Sequence, residues 1–343
     1  MKKPEFFDAY TSYLKVAFVS LSFLIPLALL YYLYPQSFDL TWKGRTFYLF
    51  FVWLFILEII LGWDSYKTKS TSRFSNAHIL IFCIALALPT IFVVIANFFG
   101  LNTIILNSAR QNRMAWPWAD WMPLSVEYLV FAVLFVVVVF LAYGMKGLKD
   151  FSMPAVFLGI IGAVYMIDNL YPYGEFTPFQ IFVPTTATLA ATFLNFLGFR
   201  TILSNSSGMP DLTVVDSQYH VARFQIAWPC SGVESLLIYT VTILLFLKKT
   251  SIPLKLKLIY FAIGAAVTYL INILRIVTIY LIALNGGDVS LFHDYYGQLF
   301  SIAWIASYPL IIIGTQTLLN KISLKKHVPQ GKSSEFGTKN ITV

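Results

Sequence analysis

Charged residues are scarce in this chain of 343 residues, where Asp, Glu, Lys and Arg together make up 12%. Soluble domains carry about 25%. Because 58% of the residues are hydrophobic, a soluble globular fold is excluded, as it could not bury so much apolar surface. Cysteine is scarcer still. Cys83 and Cys230 are the two in the chain, and neither has CxxC or Cys/His ligand spacing, which excludes a disulfide framework and predicts neither a metal site nor a cofactor.

The sequence is instead rich in long apolar runs separated by short polar breaks. A helix needs about 20 apolar residues to cross the hydrocarbon core. Such runs predict an all-α polytopic membrane protein with about eight transmembrane helices, near 16–34, 46–62, 79–99, 124–143, 153–170, 231–247, 258–284 and 297–319. A further apolar stretch, 179–198, holds Pro184 and several threonines, so we expect it to lie along the interface or to re-enter.

The basic residues predict an orientation, because Lys and Arg concentrate in cytoplasmic loops. With a cytoplasmic amino terminus, which we expect to be retained, the first half places eight basic residues inside and four outside. Those inside are Lys2, Lys3, Lys15, Lys67, Lys69, Arg73, Lys146 and Lys149, and those outside are Lys43, Arg45, Arg110 and Arg113. The basic loop 248–257 and the tail are also cytoplasmic if 179–198 does not cross. Both termini are then inside, and segment 199–229 is extracytoplasmic.

The outer segment 199–229 is the one place where the pattern changes from helix to strand. Thr213–Val215 and 220–228 are rich in β-branched and aromatic residues, and 216–218 favours a turn. We predict a small β-hairpin there, preceded by a loop over 204–210. The predicted organisation is a four-span region at 1–152, a core at 153–320 that includes this hairpin, and a cytoplasmic basic tail at 321–343 that is polar enough to be disordered.

The predicted hairpin runs directly into Cys230, after which an apolar helix begins. A cysteine in the first turn of a helix lies near the positive end of the helix dipole, which favours the thiolate. This is a position suited to a nucleophile. Cys83 lies in the middle of a predicted span, where we expect ordinary packing.

Two further polar residues are predicted to lie on the side of Cys230. Arg275, about 18 residues and roughly 27 Å along its helix from the cytoplasmic entry, shares a helix face with Asn272, and an arginine within a span is a functional candidate. His293 lies in the outer loop that follows. Thiolate, cation and imidazole together suit acyl transfer, in which they serve as nucleophile, oxyanion stabiliser and proton shuttle.

Other ionisable residues have less specific interpretations. Glu234 lies one turn after Cys230, and we expect it to neutralise Arg275, although a role in orienting His293 stays open. His220, in the hairpin, is the rival of His293 as the base. The remaining acids and histidine lie near span ends, where an interfacial location suffices, and these are Glu58, Glu127, Asp168 and His78.

At three segments the sequence resembles the exosortase/archaeosortase family of membrane cysteine transpeptidases. The matching residues are Cys230-Ser231-Gly232 at a helix start, Asn272 to Arg275 in the next helix, and His293 with Gly297 before the last helix. This resemblance covers about 153–319, and the first four spans are only generically similar. Many archaeal members carry arginine at the third position, so His293 follows the exosortase-like pattern. Pro229 and Glu234 lie outside the general pattern. They suggest a divergent subgroup of the family, and an archaeal subgroup is one interpretation.

The resemblance implies cleavage of a carboxy-terminal sorting signal on exported proteins and transfer of the new carboxyl end to a membrane or envelope acceptor. Such a signal combines a short motif, a transmembrane stretch and a basic tail. Cys230 would be the nucleophile, Arg275 the electrostatic stabiliser and His293 the acid/base, with Glu234, Asn272, Ser231 and Gly232 in support. The alternatives are a transporter or flippase with Arg275 and Glu234 in its translocation path, and a non-catalytic assembly subunit.

Overall fold

The computed structural model describes residues 5–67, 76–112, 114, 118–171, 176–206 and 209–326. Most of the predicted basic tail, from 327 onward, lies outside these residues, as do Lys2, Lys3, Lys69, Arg73 and Arg113. The chain divides into two compact units, residues 1–306 and 307–343. The first unit contains every residue of the site described below.

Long apolar helices dominate the described ranges. In chain order the helices are α1 (Glu5–Leu33), α2 (Thr46–Lys67), α3 (Asn76–Phe98), α4 (Leu101–Gln111), α5 (Trp118–Asp150), α6 (Ser152–Leu170), α7 (Thr177–Gln180), α8 (Val183–Phe196), α9 (Val233–Lys249), α10 (Leu254–Leu284), α11 (Val289–Leu291) and α12 (Leu299–Lys326). The predicted class of helical membrane protein is therefore confirmed. Helix α4 was not predicted, because its 11 residues mix polar and apolar side chains and contain no apolar run of span length.

The eight predicted spans coincide with α1, α2, α3, α5, α6, α9, α10 and α12. Six segments are long and apolar enough to cross a membrane, namely Leu14–Leu33, His78–Phe98, Trp118–Asp150, Ser152–Leu170, Leu254–Leu284 and Val289–Leu319. Helix α2 carries a shorter apolar stretch, Thr46–Leu61, and α9 has 17 residues. The count of eight spans thus stays a prediction.

The ambiguous stretch 179–198 forms the end of α7 and the whole of α8. Helix α8 has 14 residues, about 21 Å at 1.5 Å per residue, which is short of the hydrocarbon thickness of about 30 Å. Its threonines bond to the preceding turn of the same helix, as Thr188 and Thr192 do. This length agrees with a segment that does not cross.

Between α8 and α9 the chain forms a three-stranded antiparallel sheet of order β1-β2-β3, with β1 Arg200–Ser206, β2 Met209–Val215 and β3 Val221–Gln225. The predicted hairpin is the β2–β3 pair, whose register places Leu212 opposite Phe224. The predicted loop over 204–210 is wrong, since it supplies the end of β1 and the start of β2. Polar edge residues such as Ser204 hid the strand, because pairing with β2 rather than composition stabilises it.

The sheet is joined to the end of α10 by one tyrosine. The hydroxyl of Tyr280 donates to the carbonyl oxygen of Leu212 at 2.7 Å, and it lies 3.3 Å from that of Phe224. Its ring packs edge-on against the ring of Phe224, with centroids 5.2 Å apart. The strand that leads to Cys230 is thereby held against the helix that carries Arg275.

In the connection from α1 to α2, a 3₁₀ turn at Pro35–Phe38 is followed by residues 39–45, which we call the α1–α2 loop. Lys43 adopts φ 49°, an unusual value for a residue with a side chain. Arg45 makes a bidentate ion pair with Glu127 of α5, at 2.9 and 2.7 Å. The hydroxyl of Thr46 closes the loop by donating to the carbonyl oxygens of Phe38 and Leu40. The loop is therefore closed at the start of α2 and fixed to α5.

Candidate active site

Cys230 lies in a short 3₁₀ turn, Trp228–Ser231, between β3 and α9. The amide of Cys230 donates to the carbonyl oxygen of Ala227 at 3.0 Å, and Ser231 Oγ donates to that of Trp228 at 2.8 Å. The predicted location in the first turn of a helix is thus wrong in detail, because Pro229 opens a separate turn and Gly232 ends it. The helix proper begins at Val233.

A glycine is required at position 232 by both the backbone conformation and the lack of space for a side chain. Its φ of 87° lies in the left-handed region that side chains disfavour. A Cβ there would lie 2.7 Å from Cγ and Nδ2 of Asn272. This close approach allows Nδ2 of Asn272 to donate a hydrogen bond to the carbonyl oxygen of Cys230 at 3.3 Å. The Cys-Ser-Gly segment and the asparagine of α10 therefore form one packed unit.

His293 lies beside Cys230. Its Nε2 lies 3.7 Å from Sγ of Cys230, within hydrogen-bond range for sulfur, while its Nδ1 lies 2.9 Å from Oδ1 of Asp294. His293 belongs to a π-helical turn, Phe292–Tyr296, between α11 and α12. Such turns are found frequently at functional sites. His220, the predicted rival, is 58% exposed at its side chain and pairs instead with Asp216.

Arg275 lies beside this pair and is 6% exposed. Its guanidinium packs against Gly297, where a Cβ would lie 2.7 Å from Nε. Among the described residues, Nε finds no hydrogen-bond acceptor although it is buried. A buried donor without a partner in the protein carries a desolvation cost that an acceptor would relieve.

Glu234 does not pair directly with Arg275. Its Oε2 accepts from Nε2 of Gln298 at 3.0 Å, and the described residues include no ion pair within 4.0 Å between Glu234 and Arg275. The expected direct pairing is therefore wrong, and Glu234 acts on Arg275 only through space. More of the guanidinium is consequently free.

The surroundings of Cys230 favour its thiolate. Burial raises the pKa of the thiol, but the hydrogen bond and charge of His293, and then the charge of Arg275, outweigh it, so that the pKa lies below its usual value. A remote carboxylate, Asp168, opposes the shift. A neighbouring imidazole that favours the thiolate is typical of cysteine nucleophiles.

The chain also matches a known family. A model of the transmembrane exosortase family matches residues 15–308. The chain belongs to the transmembrane exosortase family. Comparison with curated proteins and with solved structures gives no match. Family membership makes the chain a membrane protein-sorting transpeptidase in general terms.

The exosortase match extends upstream of the predicted core, since it begins in α1 rather than near residue 153. In the structure, the α1–α2 loop of this upstream part contacts the site. Thr41 donates from its amide, at 2.8 Å, and from its hydroxyl, at 3.0 Å, to the carbonyl oxygen of Asp294. The ring of Trp42 packs edge-on against that of His293, with centroids 5.7 Å apart.

Lys43 of the same loop is buried, with 1% of its side chain exposed. Its Nζ lies 2.7 Å from Oδ2 of Asp168 and donates to Oδ1 of Asn169 at 2.7 Å. Burial lowers the pKa of Lys43 despite the opposing effect of Asp168 and of the more distant Glu234. Neither Lys43 nor Asp168 was predicted at the site. The run Trp42 to Arg45, which places two cations in an apolar sequence, was a detectable signal for Lys43.

The interfacial interpretation of three acids is wrong, because each is buried and paired: Asp168 with Lys43, Glu127 with Arg45 and Glu58 with Lys249. Cys83, by contrast, is exposed on α3 rather than packed. Within the described residues, no group of three or more His, Cys, Asp and Glu side chains could hold a metal ion. Ser231 is buried, and it supports the turn through its bond to Trp228.

Proposed function

We propose that this exosortase is a cysteine transpeptidase or endopeptidase that cleaves the carboxy-terminal sorting signal of exported proteins through a thioester. The single observation that carries the proposal is the distance of 3.7 Å between Cys230 Sγ and His293 Nε2. The thiol and the imidazole that form this contact lie 63 residues apart in the sequence. The roles of nucleophile and acid/base follow from that pair.

In the proposed reaction the Cys230 thiolate attacks the carbonyl carbon of the scissile peptide bond. Formation of the C–S bond moves an electron pair onto the carbonyl oxygen, and the guanidinium of Arg275 stabilises this oxyanion. Collapse then breaks the C–N bond, and the His293 imidazolium gives its proton to the leaving amine. A hydroxyl or amine of an acceptor, or water, attacks the thioester while His293 takes its proton, and the C–S bond breaks to restore the thiolate.

The substrates would be exported proteins that end in a short motif, an apolar span and a basic tail. Positive residues favour the cytoplasmic side, so such a tail would leave the motif on the outer face, where the charge distribution of this chain predicts Cys230. The substrate's own span would then confine it to the plane of the membrane beside the enzyme. Lipid or envelope acceptors fit a reaction that ends at that surface.

The test is a processing assay in cells that produce the enzyme and a tagged exported protein with such a signal, taken from the same genome. Cys230→Ala and Cys230→Ser should abolish processing, while the matched variant Cys83→Ala should process at the wild-type rate. Hydroxylamine should release the trapped acyl group as a hydroxamate from the wild type and not from Cys230→Ala. Normal processing by Cys230→Ala would overturn the proposal.

The same variants separate the enzyme from a transporter or flippase. A translocation path through Arg275 and Glu234 predicts that their substitution abolishes activity while Cys230→Ala retains it. The cysteine mechanism predicts loss with Cys230→Ala, and a loss on the order of 10²- to 10³-fold with Arg275→Gln, since one oxyanion donor is removed.

A further inference from the structure

Asp294, the residue next to His293, carries a contact that the proposed mechanism does not use. Its Oδ1 lies 2.9 Å from Nδ1 of His293, on the side of the ring away from Cys230. We infer that Asp294 is a positioning residue, whose carboxylate holds the imidazole so that Nε2 faces the Cys230 sulfur. This inference deepens the proposed function and rests on it.

The tautomer follows from the inventory of hydrogen-bonding groups. An ionised carboxylate only accepts, so the atom that faces Asp294 must carry a proton. In neutral imidazole the other nitrogen, Nε2, is then the acceptor. That is the state required of a base that removes the thiol proton of Cys230. Once Nε2 is protonated, the adjacent carboxylate stabilises the imidazolium, as the aspartate of a catalytic triad does.

The position of Asp294 is itself fixed by the α1–α2 loop. Both the amide and the hydroxyl of Thr41 donate to the backbone carbonyl oxygen of Asp294, and the amide of Gln298 lies 3.4 Å from the same hydroxyl. Trp42 packs against the His293 ring. Because these contacts use the backbone of Asp294 and the ring of His293, a substitution of the Asp294 carboxylate leaves them in place.

The charged groups around the pair come from several elements. Arg275 of α10 acts on both Cys230 and His293, and Asp168 of α6 acts on Cys230. Asp294 itself is 38% exposed at its side chain. Two roles are therefore conceivable for its carboxylate, and they have opposite signs. A carboxylate that acts through His293 favours the thiolate, whereas one that acts on Cys230 directly through space disfavours it.

The test measures alkylation of Cys230 by iodoacetamide as a function of pH, in purified full-length protein that carries Cys83→Ala. Asp294→Asn should move the midpoint of the alkylation curve to higher pH, since the imidazolium loses its partner. In a His293→Ala background, Asp294→Asn should produce no upward movement. An unchanged or lower midpoint for Asp294→Asn, or an equal upward movement without His293, would overturn the inference.

Asp216→Asn provides a matched control. Asp216 holds another histidine, His220, through Nδ1 at 2.8 Å, away from Cys230. This variant should leave the alkylation midpoint where it is. In the processing assay Asp294→Asn should lower the rate by about 10²-fold, within the 10²- to 10⁴-fold that a general base contributes, and a rate within about threefold of wild type would contradict the inference.

Failure of the inference and failure of the proposed function give different results. If Cys230 is not the nucleophile, Cys230→Ala processes normally whatever the alkylation curves show. If Cys230 is the nucleophile and Asp294 has no positioning role, Cys230→Ala is inactive while Asp294→Asn keeps the wild-type midpoint and rate. Isosteric replacement of a half-exposed carboxylate leaves folding intact, which the thermal midpoint in detergent can verify.

Discussion

Lys43 Nζ lies 2.7 Å from Asp168 Oδ2, and both side chains are buried, with 1% and 7% exposed. The pair joins the α1–α2 loop to the end of α6. The amide of Asn169 continues the contact, since it accepts from Lys43 and donates to Ser125 Oγ of α5 at 2.7 Å. The part of the chain before residue 153 is thus built into the site rather than appended to it.

Removal of one partner of this pair should destabilise the protein strongly. Lys43→Met leaves Asp168 as an uncompensated buried charge, which costs about 3–5 kcal/mol. The double variant Lys43→Met with Asp168→Leu should recover much of that loss, because no charge is left unpaired. Thermal unfolding in detergent, followed by circular dichroism, measures both.

The matched control for Lys43 is Arg110, which pairs with Asp120 at 2.7 Å but has 52% of its side chain exposed. Arg110→Met should change the free energy of unfolding by about 0–1 kcal/mol, as exposed pairs do. Equal destabilisation by Lys43→Met and Arg110→Met would show that burial of the first pair has no special weight.

Gly232→Ala should abolish processing. The substitution combines strain at φ 87° with a Cβ placed 2.7 Å from Asn272, so either the turn that holds Cys230 or the asparagine must move. Gly286→Ala is the control, since Gly286 has φ 71° and open space around it. Strain alone costs about 1 kcal/mol, so Gly286→Ala should keep most of its activity. Similar losses in both variants would contradict the role of the Asn272 contact.

Cys230 should react as a thiolate below the usual thiol range. An ordinary cysteine has a pKa of about 8.5, and the pKa of Cys230 lies lower because His293 and Arg275 outweigh its burial. Activity that needs the thiolate is therefore present above this depressed pKa and is lost as the pH falls through it. Initial rates of iodoacetamide labelling in a Cys83→Ala background, measured from pH 5 to 10, report the midpoint directly.

Arg275→Gln tests how much the guanidinium contributes to the lowered pKa of Cys230. Loss of the positive charge should move the labelling midpoint of Cys230 to higher pH, in the same direction as His293→Ala. Lys257→Gln removes a cation at the opposite end of the same helix and should leave the midpoint unchanged. A midpoint for Arg275→Gln equal to that of wild type would mean that the guanidinium does not act on the thiol.

The helices and the cysteine, arginine and histidine segments could be predicted from sequence, because both signals are local. Apolar runs of span length need no partner to be recognised, and Arg275 was conspicuous because an arginine inside such a run is costly. The third strand could not be predicted in this way, since β1 depends on pairing with β2. The location of Cys230 ahead of α9 depended on the left-handed conformation of Gly232, which apolar periodicity does not encode.

The contribution of the α1–α2 loop to the site could not be predicted from the sequence either. Thr41, Trp42 and Lys43 lie about 250, 250 and 125 residues from their partners Asp294, His293 and Asp168, and no local pattern relates such distant positions. Charge counting treated Lys43 and Arg45 as loop cations that report orientation. Their burial against Asp168 and Glu127 gives them a structural role as well.

Thr41→Val should slow processing through its effect on the histidine segment. The variant keeps the shape of the side chain and the amide contact but removes the hydroxyl, which donates to Asp294 and lies 3.4 Å from the Gln298 amide. Loss of one such hydrogen bond costs about 0.5–1.5 kcal/mol, so a rate reduction of about 2- to 13-fold is expected. Thr41→Ser, which retains the hydroxyl, should stay close to wild type.

The double variant with Asp294→Asn decides how Thr41 acts. If the loop contributes by holding the carboxylate of Asp294 against His293, Thr41→Val should add little once that carboxylate is gone, because the two changes remove one function. Independent effects would instead multiply. A full additional loss in the double variant, together with a lowered thermal midpoint, would assign Thr41 to the stability of the fold rather than to the position of His293.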